Sequence, residues 1–329
     1  MTITPAFAET LKKLRGGAFQ TKLKQKNIDP ATVANVKELL ALDDSQLLKR
    51  AQLLYEKAVE SLKFFYSDSG DILIPFSGGR DSTLLAAITV YSFPNRKCVL
   101  LTATTGLALN DTGRNSSVQA KRLLKKSLCN NAQHFFVDLS SFFSKYVVSQ
   151  AKANKQILGY PAICTCCKMV MEIAFANIAI ENGYKHVPFG YAQYQSRQHW
   201  TEQTAAFRDT MQCFHNRYHS QLNIGSPLKY VLQSPIDTSL VLGFLNFRWE
   251  EQKNEGKCVA GGMNPVSIDE LQLTSFMQKY LASRIDCNNL VFSTQSNALN
   301  KFDSDIKALK SDMFYMQRVY NNLGIIKPR

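Results

Sequence analysis

The sequence predicts an α/β protein with a parallel, doubly wound sheet and helical regions at both ends of the chain. Two observations support this fold class. Between residues 70 and 195, short apolar strand patterns alternate with longer helical patterns. Such alternation is typical of right-handed crossovers that cover both faces of a parallel sheet. Before residue 66, and again after residue 238, the apolar residues recur at helical spacing instead.

The strand candidates are short apolar runs, and the helix candidates between them have apolar residues at helical spacing. The strands are predicted at 72–76, 98–102, 135–139 and 186–189, and the helices at 82–91, 115–128 and 167–182. The polar and aromatic stretch 194–235 contains two prolines, which favours a long loop with short helices at a substrate edge.

The flanking regions complete a three-part organisation. Residues 1–66 form a predicted N-terminal helical extension, in which Pro30 starts one helix and Asp43 caps the next. The α/β domain spans 67–235. The C-terminal helical region, 236–329, begins with a helix predicted from 238 to 255 and is mainly helical over 268–322.

A glycine-rich turn follows the first predicted strand and leads directly into a helix. Its sequence is Ser77-Gly78-Gly79-Arg80-Asp81-Ser82. Adjacent glycines let consecutive backbone N–H groups turn towards one anion, and the helix N-terminus adds partial positive charge. A carboxylate beside a phosphate site indicates a Mg²⁺ ion between them. The alternative is a plain turn in which Asp81 and Ser82 cap the helix.

This motif, Ser-Gly-Gly-x-Asp-Ser, resembles the pyrophosphate loop of the N-type ATP pyrophosphatases, the PP-loop superfamily. It differs from the Gly-x-x-x-x-Gly-Lys-Ser/Thr loop of P-loop enzymes. The resemblance implies an adenine nucleotide alpha hydrolase-like sheet that cleaves ATP between the α and β phosphates. It also implies the roles of the loop residues. Pyrophosphate would contact Ser77, Gly78, Gly79 and Ser82, and Arg80 would supply a cation. Mg²⁺ would bind Asp81, and adenine would lie near Thr102.

Three of the eight cysteines cluster at the start of a predicted helix, in Cys164-Thr165-Cys166-Cys167. Cys164 and Cys167 have C-x-x-C spacing, which lets two sulfurs converge on one metal or on each other. The helix dipole and Lys168 both favour their thiolates. The residues alone leave four readings open: iron–sulfur ligation, a persulfide or disulfide pair, zinc binding, or no special role.

Together with the downstream Cys258, this pair is similar to the PP-loop tRNA thiolation enzymes, the 2-thiocytidine synthetase and its 2-thiouridine relatives. The resemblance covers residues 70–265. It implies a [4Fe–4S] cluster held by Cys164, Cys167 and Cys258, with one iron open. The chain departs from that family at Gly190, which is followed by Tyr191-Ala192-Gln193 rather than by histidine and acidic residues, and it lacks terminal zinc fingers.

The leading functional hypothesis is an ATP-dependent sulfur transferase. A nucleobase-type carbonyl, in tRNA or in a small molecule, would be adenylated, and sulfur would then displace AMP. The predicted catalytic residues are Asp81, Cys164 and Cys167. A second hypothesis is an amide- or nitrile-forming ligase that uses ammonia and has zinc at the cysteines, and a third is a non-catalytic RNA-binding module. The sulfur donor is not identified by the sequence.

Composition sets the expected environment and partners. The net charge of +13 favours a polyanionic partner such as RNA, or simply a basic surface. Eight cysteines in 329 residues, three of them clustered, suit a reducing compartment better than a disulfide scaffold. We find neither a signal peptide nor an apolar run of membrane-spanning length, so a cytoplasmic location is expected. The oligomeric state is left open, a homodimer included.

Overall fold

A five-stranded parallel sheet lies at the centre of the part of the chain that the computed structural model describes, which is residues 2–17, 19, 30–105, 112–126, 132–159, 161–192, 201–250 and 269–284. The strand order is β3-β2-β1-β4-β5. The strands are β1 (Ile72–Pro75), β2 (Cys98–Thr104), β3 (Ala132–Asp138), β4 (His186–Pro188) and β5 (Asn223–Gly225). The predicted fold class is confirmed, although β5 falls in the stretch predicted as a loop.

Three helices precede the sheet: α1 (Pro5–Arg15), α2 (Pro30–Ala41) and α3 (Asp44–Phe65). The start of α3 is fixed by a capping box, as Asp43 predicts. The Asp43 carboxylate accepts a hydrogen bond from the Gln46 backbone N–H at 2.8 Å, and the Gln46 side chain accepts one from the Asp43 N–H at 3.0 Å.

Helices cover both faces of the sheet. One face packs against α3 and against α4 (Arg80–Ser92), α5 (Thr112–Lys126) and α10 (Pro235–Phe244). The opposite face packs against α6 (Ser140–Phe143) with the π-helical turn Ser144–Val148 that continues it, α7 (Ala151–Leu158), α8 (Pro161–Glu181), α9 (Ala205–Tyr218) and α11 (Glu270–Arg284). A short 3₁₀ helix, Thr201–Gln203, precedes α9.

Strand β1 shows why the apolar runs in the sequence are continuous. Ile72 and Ile74 pack on the side of α3 and α4, whereas Leu73 packs on the side of α8. All three side chains are fully buried. A parallel strand covered on both faces needs apolar residues at every position, so it shows no polar alternation.

Helix α8 is the most apolar of the long helices. Its segment Ala162–Glu181 is long and apolar enough to cross a membrane, and among the described residues it alone passes that test. However, 67% of its apolar 18-residue window is buried inside the protein, where the helix packs on β1 and β4. Its apolar character is therefore explained by its place in the core.

Helix α10 joins the N-terminal region to the sheet. Its Ile236 and Leu240 pack into one cluster with Phe7 of α1 and Leu47 of α3. The helix predicted over 238–255 proved to be misplaced: it begins three residues earlier, because Ser234 caps it and Pro235 fits the first turn. It ends at Phe244, just before Asn246, whose φ is 55°.

The order of the strands identifies a topological switch point. The chain builds β1, β2 and β3 towards one edge, then returns through α8 to place β4 on the other side of β1. In open α/β sheets, ligands bind outside the carboxyl ends of the strands at such a point. The segment that follows β1 is the glycine-rich loop 77–82.

Candidate functional site

The glycine-rich loop turns through a left-handed residue. Gly78 has φ +72°, and a Cβ atom there would lie 2.6 Å from the Cα of Ser116 in α5. A side chain is thus disfavoured by both the backbone conformation and the contact with a neighbouring backbone. Because residue 78 has no side chain, the loop can pass this close to α5.

The two serine hydroxyl groups of the loop contact each other. Ser77 Oγ and Ser82 Oγ are 3.0 Å apart, and the Gly79 N–H donates to Ser77 Oγ at 3.2 Å. Gly79 is the N-cap residue of α4 and makes no side-chain capping bond. An anion at this position would find two hydroxyls and the positive end of a helix dipole within one turn.

Gly190, just after β4, lies directly against the same helix start. A Cβ atom there would be 3.0 Å from the Cα and the backbone nitrogen of Ser82. The sequence predicts that residues after β1 and β4 share one edge, and the structure brings them into contact. A bulkier residue at 190 would push the end of β4 away from the loop.

Asp81 is oriented by a residue that the sequence did not single out. Thr238 of α10 donates a hydrogen bond through its Oγ1 to Asp81 Oδ1 at 2.9 Å. The Nε atom of Arg80 lies 3.9 Å from the same oxygen. Thr238 is fully buried and 157 positions from Asp81 along the chain, so no local sequence signal could have paired them.

A second unpredicted contact comes from the segment after α10. The Trp249 Nε1–H donates to the carbonyl oxygen of Gly78 at 3.3 Å. The next residue, Glu250, is held by α5, because Gln119 donates to its backbone oxygen and Arg122 pairs with its carboxylate, each at 3.0 Å. This segment, Arg248–Glu250, therefore lies across one side of the loop.

The Thr102 side chain is buried, and its hydroxyl already contacts two protein groups. Its hydroxyl donates its single proton to the Phe76 carbonyl at 2.6 Å. In the 2.9 Å contact with His134 Nε2 the hydroxyl oxygen therefore accepts, and the nitrogen is the donor. Burial lowers the pKa of His134 to about 4, which keeps the ring neutral. Any contact of residue 102 with a base must involve the backbone.

The cysteine pair lies at the start of α8. Because α8 begins at Pro161, Cys164 falls in its first turn and Cys167 in its second, and both are half-buried. The helix leads into β4, so its N-terminus lies at the carboxyl edge of the sheet, as the loop does. Cys166 is different: it is buried in the core, where the Asn154 side chain donates to its sulfur at 3.4 Å.

Lys168 belongs to an ion pair beside these cysteines. Its Nζ lies 3.3 Å from Oε1 of Glu202, whose side chain is 6% exposed. The pKa of Lys168 is raised, first by Glu202 and also by the nearby Tyr191 and Cys167. Tyr191 directly follows Gly190, which lies against Ser82, so this part of the chain connects the surroundings of the ion pair to the glycine-rich loop.

A buried ionic network continues behind Tyr191. The Arg208 guanidinium stacks 4.6 Å from the Tyr191 ring and pairs with Glu172. Burial on its own would raise the pKa of Glu172, but Arg208 and His215 outweigh it and hold the pKa below its usual value. Burial, with a contribution from Glu172, raises the pKa of Tyr191, so the phenol stays protonated.

The third predicted cysteine ligand, Cys258, lies outside the described residues. Within the ranges that the structure does describe, no three His, Cys, Asp or Glu side chains are arranged to hold a metal ion. Of the three predicted thiol ligands, Cys164 and Cys167 are therefore the two whose placement the described residues show.

Comparisons with known proteins give a structural likeness and no match by sequence. Neither a family model nor a curated protein sequence matches the chain. Among solved structures, the chain is similar to the NMN synthetase from Francisella tularensis, with 11% identity and a TM-score of 0.42 over 85% of this chain and 98% of that one. Functional conclusions for this protein must therefore come from its own site.

Proposed function

We propose that this protein is an ATP-dependent, AMP- and pyrophosphate-forming enzyme of the PP-loop type that replaces the oxygen of a nucleobase-type carbonyl by sulfur. The observation that carries the proposal is the position of the loop 77–82. It follows the central strand at the topological switch point, and the cysteine pair of α8 begins at the same edge of the sheet.

The nucleotide half of the proposal rests on the loop and on Asp81. The Ser77 and Ser82 hydroxyls and the start of α4 would bind the pyrophosphate end of ATP. Asp81 would bind the Mg²⁺ that neutralises charge on the leaving pyrophosphate. Trp249 donates to Gly78 and Gly190 lies against Ser82, so the loop is restrained near both of its ends.

The sulfur half rests on Cys164 and Cys167. An adenylated carbonyl carbon is open to attack by sulfur, because AMP is a good leaving group. A persulfide on one cysteine would attack that carbon and expel AMP. The thiolate of the other cysteine would then attack the sulfur of the first cysteine. A disulfide forms between the two cysteines, and the thiocarbonyl product is released. The dipole of α8 and the ammonium group of Lys168 both favour the thiolates that these steps need.

The same pair could serve an iron–sulfur cluster if Cys258 joins it. The cluster would supply an open iron that holds the incoming sulfide. The half-buried thiols on successive turns of α8 fit two of its ligand positions. Iron, zinc and acid-labile sulfide measured on anaerobically purified protein distinguish this arrangement from a zinc site and from the metal-free persulfide route.

The first experiment tests the nucleotide chemistry. We expect the purified protein to bind Mg·ATP and to release pyrophosphate when bulk tRNA or a nucleobase panel is supplied with a sulfide source. Asp81→Asn should lower that rate by about 10²-fold or more, because it removes charge stabilisation of the leaving group. Asp71→Asn is the matched control, since Asp71 precedes β1 and pairs with Lys97 on the exposed surface.

The cysteines are tested in the same assay by product analysis. Cys164→Ala and Cys167→Ala should abolish thiolated product, whereas Cys213→Ala, which alters an exposed cysteine of α9, should leave it unchanged. Amide or nitrile product in place of thiolated product would support the ligase hypothesis. Binding of tRNA without any pyrophosphate release, in wild type and Asp81→Asn alike, would support a non-catalytic role and overturn the proposal.

A further inference from the structure

We propose that Thr238 is a positioning residue that orients the Asp81 carboxylate for the divalent cation of a metal–ATP complex. The inference rests on the proposed role of Asp81 in the PP-loop. It goes beyond that role, because it assigns a function to α10 and, through α10, to the N-terminal helical region.

The contact itself has a fixed direction. An ionised carboxylate accepts hydrogen bonds and cannot donate them, so the Thr238 hydroxyl donates its proton to Asp81 Oδ1 over 2.9 Å. Thr238 is fully buried, and the Asp81 side chain is 14% exposed. Little water competes for the bond, and a charge-assisted hydrogen bond in such a place holds the plane of the carboxylate.

The start of α10 is locked immediately beside Thr238. Asp237 is fully buried and accepts from the Arg50 guanidinium of α3 at 2.9 Å and from the Gln233 backbone N–H at 3.0 Å. Ser234 caps the helix by accepting from the Ile236 N–H at 3.3 Å. With the preceding residue bound on two sides, α10 cannot rotate about its axis without breaking a buried ion pair.

The far end of α10 is held by α1. The Thr4 hydroxyl donates to the Gly243 carbonyl at 2.9 Å, and a Cβ atom at Gly243 would come within 3.1 Å of the Phe7 Cα. The two helices therefore cross with their backbones nearly in contact. Helices α1 and α3 together fix both ends of the helix that carries Thr238, so residues from the N-terminal extension set the position of the hydroxyl.

A fixed carboxylate matters because Mg²⁺ demands near-ideal octahedral geometry and releases its water ligands reluctantly. A carboxylate that is already aligned binds the metal–ATP complex without first losing rotamer freedom. Removal of the Thr238 hydroxyl should therefore weaken the metal-dependent part of nucleotide binding, and leave unchanged the part that comes from the loop hydroxyls and the helix N-terminus.

The test measures the affinity for α,β-methylene-ATP, an analogue that cannot be cleaved at the α–β position, with Mg²⁺ and with EDTA. We expect Thr238→Val to raise the Kd for the Mg²⁺ complex about tenfold, the scale of one lost hydrogen bond to a charged group, with the Kd in EDTA changed less than about twofold. Thr238→Ser, which keeps the hydroxyl, should restore tight binding. Thr238→Ala serves in place of Thr238→Val should the latter fail to fold.

Thr89→Val is the matched control. Thr89 is another buried threonine, on α4, and its hydroxyl contacts Tyr66 at 2.9 Å. It should not change the Mg²⁺ dependence. An equal loss of affinity with and without Mg²⁺ in Thr238→Val, or an unchanged affinity in both, would overturn the inference while leaving the proposed function intact. Absence of Mg²⁺-enhanced binding in the wild type would overturn both.

Discussion

At the scale of single residues, Gly78 and Gly183 have nearly the same φ angle but different surroundings. Their φ angles are +72° and +74°. Gly183 ends α8, and a Cβ atom there would meet nothing within 4 Å. Gly78 combines the left-handed conformation with a backbone contact to Ser116. Of these two glycines, Gly78 is the one whose lack of a side chain lets a loop approach a second helix.

Gly78→Ala should therefore cost more than Gly183→Ala. Alanine in a left-handed conformation costs about 1–2 kcal/mol at either position. At Gly78, overlap with the Ser116 backbone adds roughly 1–3 kcal/mol and displaces the loop. We expect Gly78→Ala to lose binding of the ATP analogue at a temperature where it is still folded, and Gly183→Ala to retain it. Equal stability loss and equal binding in the two variants would contradict this interpretation.

Residue-scale reasoning from the sequence is most direct for the loop residues, which are close to one another along the chain. Ser77, Asp81 and Ser82 were predicted because strand, glycine pair and helix start are consecutive. Thr238 and Trp249 reach the loop from 157 and 171 positions away. Their types are ordinary for a buried helix position and a loop, so nothing in the sequence marks them before the fold brings them together.

At the scale of elements, the predicted strands and helices of the sheet are close to those observed where the apolar pattern is long. The strand predicted at 72–76 and the helix predicted at 82–91 are observed as Ile72–Pro75 and Arg80–Ser92. Strand β5 was missed because it has three residues, Asn223–Gly225, of which only Ile224 is apolar and buried. So short a strand shows no alternation and is defined only by its pairing with β4.

The ion pair between α3 and α10 gives a prediction about elements. Asp237 is fully buried, and burial raises its pKa in spite of Arg50. Arg50→Met should leave this carboxylate without its counter-charge and lower the free energy of unfolding by about 3 kcal/mol or more. The double variant Arg50→Met/Asp237→Asn should recover much of that loss.

Chemical denaturation measures these changes, and Lys13→Met is the control. Lys13 forms an ion pair with Glu9 within α1, but its side chain is 52% exposed, so its removal should change stability little. Equal losses in the free energy of unfolding for Lys13→Met and Arg50→Met would show that the α3–α10 ion pair stabilises the fold no more than an exposed pair does. A double variant no more stable than Arg50→Met would show that the unpaired Asp237 carboxylate is not the cause.

At the scale of the whole molecule, the sheet, the loop and the N-terminal helices form one continuous arrangement around β1. The loop leaves β1, α5 approaches it at Gly78, β4 approaches it at Gly190, and α10 reaches Asp81. The cysteine pair starts the helix that leads into β4. A change in any of these elements is thus expected to displace the glycine-rich loop, which α5, β4 and α10 all contact.

Stability of the whole chain should depend on pH in a window set by buried histidines. Burial lowers the pKa of His134 from 6.5 to about 4, and burial together with His215 lowers that of His219 from 6.5 to about 3. The folded state holds both rings neutral, whereas the unfolded chain protonates them below pH 6.5. Stability is therefore greatest above pH 6.5 and falls as the pH drops towards 4, by roughly 1–2 kcal/mol per ring at pH 5.

His134→Gln isolates one of these contributions, because the Gln side chain can still donate to Thr102 but does not titrate. Between pH 7 and pH 5, where most carboxylates are still ionised, the variant should lose less stability than the wild type, as measured by urea denaturation at each pH. Identical losses in the two proteins would mean that His134 is protonated in the folded state. In that case the hydrogen bond to Thr102 would remain, but burial of a neutral His134 ring would not explain the pH dependence of stability.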